Sequence, residues 1–186
     1  MRIDAATKVC AVIGDPIEHS LSPSLHNAVF AEKGLNFVYV AFRVKNVEQA
    51  LAGVRGLGLH GLSVTIPHKS AVLPYLDALE PTAENIGAVN TVVREPDDRL
   101  VGYNTDGVGA CRALEAAGVN LAGASVLLIG SGGAARAVAF ALASQASIGA
   151  LTIAGVEEDQ LSALVRDLKE KTRIAVEGMR ADRDSY

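Results

Sequence analysis

Val126-Leu127-Leu128-Ile129-Gly130-Ser131-Gly132-Gly133-Ala134-Ala135-Arg136 passes from a short apolar run through a glycine turn into an alanine-rich helical pattern. Small residues let a backbone approach a pyrophosphate closely, and the start of a helix offers free N–H groups and the positive end of its dipole. A glycine turn alone is weak evidence, but this one has a strand before it and a helix after it. The sequence therefore predicts a nucleotide-binding loop. Its residues are Gly130, Ser131, Gly132, Gly133, Ala134 and Ala135.

Strand and helix patterns alternate on both sides of this loop, which predicts an α/β fold with parallel sheets. Polar residues and a helix pattern near residues 104–123 indicate a boundary between two lobes, with the helix after Asp106 as the connector. We therefore expect domains at 1–106 and 107–186. The predicted strands are Val9–Ile13, Phe37–Arg43, Gly61–Ile66, Ser125–Ile129, Leu151–Ala154 and one beginning at Ile174, with a hairpin of Asn90–Arg94 and Leu100–Tyr103. The predicted helices are 22–33, Val47–Leu57, a short one after Lys69, Asp106–Ala117, Ala134–Ala143 and Leu161–Lys171.

The composition is that of an ordinary soluble globular protein, with 49% hydrophobic and 20% charged residues. A net charge of −4 gives no support for a nucleic-acid partner. The longest apolar run, at 134–143, carries Arg136 and is too short to span a bilayer. The first residues do not have the pattern of a signal peptide. These features predict a cytoplasmic protein without a membrane partner.

The cysteines and histidines give no indication of a metal site. Cys10 falls in a strand pattern and Cys111 in a helix pattern, so both are interpreted as small buried hydrophobes in a reducing compartment. The histidines do not have the spacing of metal ligands. His68, beside Pro67, is interpreted as a surface residue or a supporting one. The four histidines are His19, His26, His60 and His68.

Two serines precede the first predicted helix. Ser22 is predicted as its N-cap and Pro23 as its first residue, because serine and proline favour those positions. Hydroxyl donors at a helix N-terminus can also bind a carboxylate. Capping explains Ser22 but leaves Ser20 unexplained, so both interpretations stay open.

Five polar residues lie at strand ends or just beyond them, where ligands bind in α/β sheets. Each alone has a simpler explanation, since Lys69 could face solvent and Asp106 could cap the following helix. Their recurrence at comparable positions favours a site in which a lysine and a carboxylate handle a proton while a hydride leaves. The five are Thr65, Lys69, Asn90, Asn104 and Asp106.

Acidic residues follow the second strand of the nucleotide-binding pattern, in Gly155-Val156-Glu157-Glu158-Asp159. An acid here would accept hydrogen bonds from a ribose 2′-hydroxyl and repel a 2′-phosphate. Acids are equally favoured in the first turn of a helix. The two interpretations have about equal weight.

Several short motifs follow one another along the chain. In order, they are Gly14-Asp15-Pro16-Ile17 with Ser20-Leu21-Ser22-Pro23, Val64-Thr65-Ile66-Pro67-His68-Lys69, Gly87-Ala88-Val89-Asn90-Thr91, Asn104-Thr105-Asp106-Gly107 and the glycine loop. Taken together, the motifs resemble the shikimate/quinate dehydrogenase family, over essentially the whole chain. The resemblance implies an N-terminal α/β substrate-binding domain and a partial Rossmann nucleotide-binding domain. It also implies the reversible NADP- or NAD-dependent reduction of 3-dehydroshikimate to shikimate in aromatic amino-acid biosynthesis.

The resemblance also implies roles for individual residues. Ser20 and Ser22 would hold the substrate carboxylate, and Thr65, Asn90 and Asp106 would bind ring hydroxyls. Lys69 would bind the reacting oxygen and exchange its proton, with Asp106 holding it in register. This agrees with the chemistry, because an ammonium stabilises a developing alkoxide and donates a proton to it. A nearby carboxylate favours that ammonium over a neutral amine.

Three features depart from the family pattern. Ser63 stands where the family usually has asparagine. Gly155-Val156-Glu157 and Gln160 replace an Asn-Arg-Thr stretch and a later arginine found in NADP-using members, which favours NAD with Glu158 as a candidate ribose ligand. Family members also continue beyond this length with the rest of the nucleotide domain and further substrate ligands. We therefore expect a longer parent chain, or an association such as a homodimer that covers the open sheet edge.

The alternatives are an NAD-preferring quinate/shikimate dehydrogenase and a non-catalytic shikimate-binding relative. The first would differ in substrate range, and the second would bind shikimate without turnover. A methylenetetrahydrofolate dehydrogenase shares a two-lobe layout. The Ser20 and Ser22 motif and the Asn104–Gly107 motif speak against it.

Overall fold

The computed structural model describes residues 3–144 and 146–182. The chain divides into two compact units between Asn104 and Thr105. The first unit contains a six-stranded sheet and the second a three-stranded sheet. No helix within the described residues is long and apolar enough to cross a membrane.

The elements of the first unit are β1 (Lys8–Gly14), α1 (Ser22–Glu32), β2 (Phe37–Arg43), α2 (Val47–Leu57), β3 (Gly61–Val64), a 3-10 turn (Leu73–Tyr75), β4 (Ala78–Leu79), α3 (Pro81–Ile86), β5 (Thr91–Arg94) and β6 (Leu100–Tyr103). Its sheet has the strand order β2-β1-β3-β5-β6-β4. Strand β1 pairs in parallel with β2 and β3, whereas β5 pairs antiparallel with β3 and β6. The predicted hairpin of β5 and β6 is confirmed, because a short hairpin turn joins antiparallel strands. The expectation of parallel sheets fails where this hairpin joins β3. Helix α3 and strand β4 are too short to give a periodic pattern in the sequence.

Helix α2 covers one face of this sheet. Its buried residues Val47, Leu51 and Val54 recur at helical spacing, so they form one apolar stripe. The Asn46 side chain accepts a hydrogen bond from the Gln49 N–H and caps the helix start. The stripe packs into a core with alternate residues of the central strands. These residues include Ala11, Ile13, Leu62, Val64, Val92 and Leu100.

Helix α1 ends at Glu32, one residue before the predicted end, and Gly34 follows its C-cap. The glycine has φ +64°, a conformation that residues with a Cβ rarely adopt. Its N–H donates to the Ala31 carbonyl at 3.3 Å, and the Leu35 N–H donates to the Phe30 carbonyl at 2.9 Å. These two bonds are those of a Schellman motif, which satisfies carbonyls at the helix end.

The second unit has the layout of half a Rossmann domain. Its elements are α4 (Asp106–Ala116), β7 (Ser125–Ile129), α5 (Gly133–Ser144), β8 (Ala150–Gly155), α6 (Glu158–Lys171) and β9 (Ala175–Arg180). Strands β7, β8 and β9 are parallel and adjacent in chain order, with a helix in each crossover. Leu161, Leu164 and Leu168 of α6 are buried, together with Leu151 and Ile153 of β8. The predicted α/β fold with a partial Rossmann domain is confirmed.

Both cysteines are free thiols in environments that disfavour the thiolate. Cys111 is buried in α4 and Cys10 is half-buried in β1. Burial raises the pKa of both thiols. Since the thiolate is the reactive form, both side chains are expected to behave as inert packing groups, as the sequence indicates.

An ion pair joins the two crossover helices of the second unit. The Arg136 guanidinium of α5 donates to the Asp167 carboxylate of α6 at 2.5 Å, and both side chains are partly buried. The guanidinium also lies 5.2 Å from the centroid of the Phe140 ring. The bond from Arg136 lowers the pKa of Asp167 below its ordinary value.

The Asp167→Asn variant tests the contribution of this pair to stability. A carboxyl with a lowered folded pKa stabilises the fold above its unfolded pKa of about 3.9, and the stabilisation is lost as the pH falls toward the folded value. We expect the variant to lose about 1–2 kcal/mol of unfolding free energy at pH 7. The difference from the parent chain should shrink below about pH 4. Denaturant unfolding at both pH values measures it, with Glu170→Gln as the control; an equal difference at pH 3 and pH 7 would contradict the assignment.

Candidate functional site

Four chain segments reach the same edge of the six-stranded sheet. Strands β1 and β3 are parallel and end there, at Gly14 and just before Thr65. Strand β5 is antiparallel to β3 and so begins there, after Asn90, and β6 is antiparallel to β5 and ends there, before Asn104. The topology therefore gathers the predicted polar positions of the first unit at one edge, as ligand sites in α/β sheets require.

The loops after β1 and β3 are joined directly. The Thr65 N–H donates to the Ile13 carbonyl at 3.0 Å, and the Asp15 N–H donates to the Ile66 carbonyl at 3.1 Å. A Cβ placed on Gly14 would lie 2.7 Å from the Thr65 Cγ2 atom. Only glycine fits at this position, so the absence of a side chain at Gly14 sets the position of Thr65.

Asn90 is held between two strands by its backbone. Its carbonyl accepts from the Val64 N–H at 2.7 Å, and its N–H donates to the Tyr103 carbonyl at 3.0 Å. Its side-chain oxygen accepts from the Thr91 hydroxyl at 2.9 Å. Asn90 therefore lies beside Thr65 in a fixed backbone position.

Asn104 has a supporting role at the same edge. It is only 5% exposed, and its side-chain amide donates to the Ala88 carbonyl at 3.0 Å. A buried amide bonded to a neighbouring backbone holds two loops together. The bond ties the end of β6 to the segment that carries Asn90.

Lys69 lies on the loop between β3 and the 3-10 turn. Its carbonyl accepts from the Val89 N–H at 2.8 Å, and the His68 N–H donates to the Thr65 carbonyl at 2.8 Å. These bonds connect the lysine loop to Thr65 on one side and to the residue before Asn90 on the other. The structure thus brings Thr65, Lys69 and Asn90 to one place.

His68 is 6% exposed, so of its two interpretations the surface residue is wrong and the supporting residue is confirmed. Its Nε2 atom lies 2.8 Å from the Val44 carbonyl oxygen, and since a carbonyl only accepts, the imidazole donates. The bond attaches the lysine loop to the segment after β2. Apolar Pro67 and charged Lys69 on either side gave no indication of this burial in the sequence.

Neither serine is the N-cap of helix α1. Helix α1 begins at Ser22, and its N-cap is Leu21, which makes no side-chain cap bond to the described residues. The prediction of Ser22 as N-cap is therefore wrong. The Ser20 hydroxyl, which capping left unexplained, accepts from the Ser22 N–H at 3.3 Å, because that N–H precedes the first intrahelical bond.

Tyr39 and Ser63 form a contact that sequence reasoning missed. The Tyr39 hydroxyl donates to the Ser63 hydroxyl oxygen at 2.6 Å. Both backbone groups of Tyr39 bond to the Asn27 side chain, at 2.9 and 2.8 Å, and its ring stacks on His26 at 4.3 Å. Burial raises the pKa of Tyr39. Ser63 lies two residues before Thr65. The bonds from Asn27 of α1 to Tyr39, and from Tyr39 to Ser63, therefore hold in place the strand that leads to Thr65.

The glycine loop of the second unit has open space above its backbone. Gly130 has φ +110° and its N–H donates to the Ala154 carbonyl at 2.7 Å, which ties the loop to the end of β8. A Cβ on Gly132 or Gly133 would meet no heavy atom of the described residues within 4 Å. An uncovered glycine backbone at the start of α5 is what a pyrophosphate needs. The residues present therefore fit the nucleotide that the sequence predicts.

Asp106 is the first residue of α4, in the second unit. The next residue, Gly107, faces α5: a Cβ there would overlap the Ala137 carbonyl oxygen and would lie 2.7 Å from the Ala141 Cβ atom. The glycine of the Asn104–Gly107 motif thus allows two helices to touch and sets the start of α4. The pairing of Asp106 with Lys69 stays a prediction.

The comparisons with known proteins agree with this geometry. Residues 12–92 match the shikimate dehydrogenase substrate binding domain. The chain is 54% identical to the shikimate dehydrogenase (NADP(+)) of Moorella thermoacetica over 83% of its length and 52% of that protein. It superposes on the shikimate 5-dehydrogenase of Listeria monocytogenes, solved with shikimate and NAD, with a TM-score of 0.91 and 37% identity. The superposition covers 97% of this chain and 63% of the Listeria chain. It superposes on the shikimate 5-dehydrogenase of Thermus thermophilus, solved with NADP(H) and shikimate, with a TM-score of 0.82 and 34% identity. That superposition covers 95% of this chain and 69% of the Thermus chain.

The chain belongs to the shikimate dehydrogenase family. It spans about half to two thirds of the length of the relatives it matches, from 52% for the Moorella protein to 69% for the Thermus chain. The matched substrate-binding domain contains Thr65, Lys69 and Asn90, and it ends before Asp106 and the glycine loop. The match therefore covers the part of the polar edge that carries Thr65, Lys69 and Asn90, and it ends before Asn104.

Replacing Gly14 by alanine should disturb this edge. The added Cβ would lie within 3.1 Å of Thr65, Ile17 and the Ile66 carbonyl, so the loops must separate, at about 1–3 kcal/mol. We expect lower stability in denaturant unfolding and faster amide exchange at Thr65. Gly56→Ala in α2 is the control, because its Cβ meets open space and alanine favours a helix. Equal stability of the two variants would refute the packing role of Gly14.

Proposed function

We propose that this chain carries out the reversible NADP- or NAD-dependent reduction of 3-dehydroshikimate to shikimate, a step of aromatic amino-acid biosynthesis. The observation that carries the proposal is the convergence of Thr65, Lys69 and Asn90 at one edge of a domain that matches a shikimate dehydrogenase substrate binding domain. Relatives solved with shikimate and either NAD or NADP(H) support the substrate and both cofactors. Residues 1–106 would be the substrate-binding domain and 107–186 the nucleotide-binding domain.

The substrate carboxylate would bind at Ser20 and Ser22. The loop that carries them leaves β1 at Gly14 and is bonded to the Thr65 loop through Asp15 and Ile66. Hydroxyl groups at the start of α1 combine donor atoms with the positive end of the helix dipole. Thr65, Asn90 and Asp106 would then bind the ring hydroxyls and orient the carbonyl of the substrate toward Lys69.

Lys69 would act as the proton donor in the reducing direction. Its ammonium stabilises the alkoxide that develops on the substrate and then donates a proton to that oxygen. In the oxidising direction the amine takes the proton back. Asp106 would hold the ammonium in register, and its place at the start of α4 is set by the contact of Gly107 with α5.

The nucleotide would bind at Gly130, Ser131, Gly132, Gly133, Ala134 and Ala135, with Glu158 at the ribose. When bound it supplies the hydride. Arg136, the last residue of the motif, bonds to Asp167 and packs on Phe140. The bond joins α5 to α6. A cytoplasmic location goes with this proposal, because both cysteines are free thiols.

The first test is the Lys69→Ala variant. We expect its kcat for NADP- or NAD-linked shikimate oxidation to fall at least about 100-fold, since general acid–base catalysis contributes on that order. Shikimate affinity, measured by calorimetry, should change far less. Lys33→Ala, an exposed lysine that follows α1, is the control. An unchanged kcat in the Lys69 variant would refute its role.

The substrate range separates the alternatives. Turnover of quinate with NAD at a rate similar to that of shikimate would favour a quinate/shikimate dehydrogenase. Shikimate binding without turnover by either cofactor would favour a non-catalytic binding protein of the same family. The acidic stretch after β8 is the feature that favours the NAD-linked alternative.

His68→Phe tests how the lysine loop is positioned. The ring is kept, but the bond to the Val44 carbonyl is lost, so the loop gains freedom and Lys69 is less often in place. We expect kcat to fall about 10-fold with little change in KM. His60→Phe, outside the loop, should leave both constants near their original values. An equal loss in both variants would assign the effect to stability alone.

A further inference from the structure

An ion pair lies at the end of the second unit's sheet. Glu158 begins α6 and Arg180 ends β9, and the Arg180 guanidinium lies 3.1 Å from the Glu158 carboxylate. Both side chains are well exposed, with Arg180 at 70% and Glu158 at 67% of full exposure. Exposed pairs of this kind stabilise a fold by about 0–1 kcal/mol, so this one can open to bind a ligand.

This pair adjoins the glycine loop through Gly155, the last residue of β8. Gly155 pairs with Arg180 in the sheet register, and its carbonyl accepts from the Ala181 N–H at 3.0 Å. On its other side, a Cβ on Gly155 would lie 2.8 Å from the Ser131 hydroxyl oxygen. The loop that fits the pyrophosphate and the arginine are therefore neighbours of the same residue.

The position matters because of what a dinucleotide presents there. In a Rossmann domain, an acid after the second strand binds the ribose 2′-hydroxyl, and a nearby arginine accommodates a 2′-phosphate. The segment 155–160 contains acids and no cation, and that absence favoured NAD. The structure brings Arg180 to Glu158 from a strand 22 residues later in the sequence.

Two neighbouring arginines of the second unit contact Asp167, and Lys169 lines the same groove as Arg180. Arg136 bonds to Asp167 and packs on Phe140, and Arg166 lies 3.5 Å from the same aspartate. Arg180 and Glu158 both line an open groove of about 670 Å³ between α6 and β9. A guanidinium offers paired N–H donors that match a phosphate, so Arg180 has both the chemistry and the space to bind one.

We propose that Arg180 binds the 2′-phosphate of NADP, whereas Glu158 binds the 2′-hydroxyl of NAD, so the pair lets one site accept both cofactors. This inference rests on the proposed function, because it assumes that the glycine loop holds the nucleotide. With NADP bound, the guanidinium contacts the phosphate and offsets the charge of Glu158. With NAD bound, the original ion pair remains and the carboxylate accepts from the ribose.

Calorimetry with two small probes tests the proposal without turnover. Adenosine 2′,5′-bisphosphate and adenosine 5′-monophosphate differ only in the 2′-phosphate. The parent chain should bind the bisphosphate about 10-fold more tightly. Arg180→Ala should remove this preference and leave the monophosphate affinity unchanged, and Arg180→Lys should keep part of it. Glu158→Gln should increase the preference, because the repelling charge is gone.

Arg166→Ala is the matched control, since it removes an exposed arginine of the same groove that pairs with Asp167. Its preference for the bisphosphate should equal that of the parent chain. An equal loss in the Arg166 and Arg180 variants would reduce the effect to general charge and overturn the assignment. So would a preference that survives in Arg180→Ala. If neither probe binds the parent chain, the glycine loop is not a nucleotide site, and the proposed function fails with the inference.

Discussion

The close approach of Gly14 to Thr65 is the constraint on which the first unit depends. Two parallel strands end side by side, and the loops beyond them are joined by backbone bonds from Thr65 and Asp15. A side chain at Gly14 would force those loops apart. The joined loops carry Ser20 on one side and Lys69 on the other. The position of Thr65 and of the loops that carry Ser20 and Lys69 therefore depends on one missing Cβ, whereas Asn90 is fixed by its own backbone bonds to β3 and β6.

The second unit uses glycine in the same way, at two contacts. Gly155 lets the loop residue Ser131 rest against the end of β8, and Gly107 lets α4 touch α5. The first contact fixes where a nucleotide phosphate would lie relative to Glu158 and Arg180. The second fixes where Asp106 starts its helix. Glycines in these motifs thus set distances between elements, which is a different requirement from the positive φ of Gly34 or Gly130.

Local patterns predicted most of the fold, and contacts between distant segments account for what they missed. Strand and helix bounds such as Phe37–Arg43 and Val47–Leu57 were correct because periodicity and turn residues act over short distances. The burial of His68 and the bond between Tyr39 and Ser63 depend on residues 24 positions away. The same holds for Arg180, whose partner is 22 residues earlier. A motif identifies the residues at a site, but their hydrogen-bond partners come from the topology.

The charge balance at the ribose end shows why a local motif can mislead about cofactor choice. A ligand responds to the total field of the groups around it, and the sequence position of those groups is irrelevant to that field. Glu158 alone would repel a 2′-phosphate, but the Arg180 guanidinium 3.1 Å away cancels its charge. The strand order β7-β8-β9 makes this possible, because it sets the end of β9 beside the end of β8. Loss of the arginines after β8 therefore does not by itself exclude NADP, provided that a neighbouring strand supplies the cation.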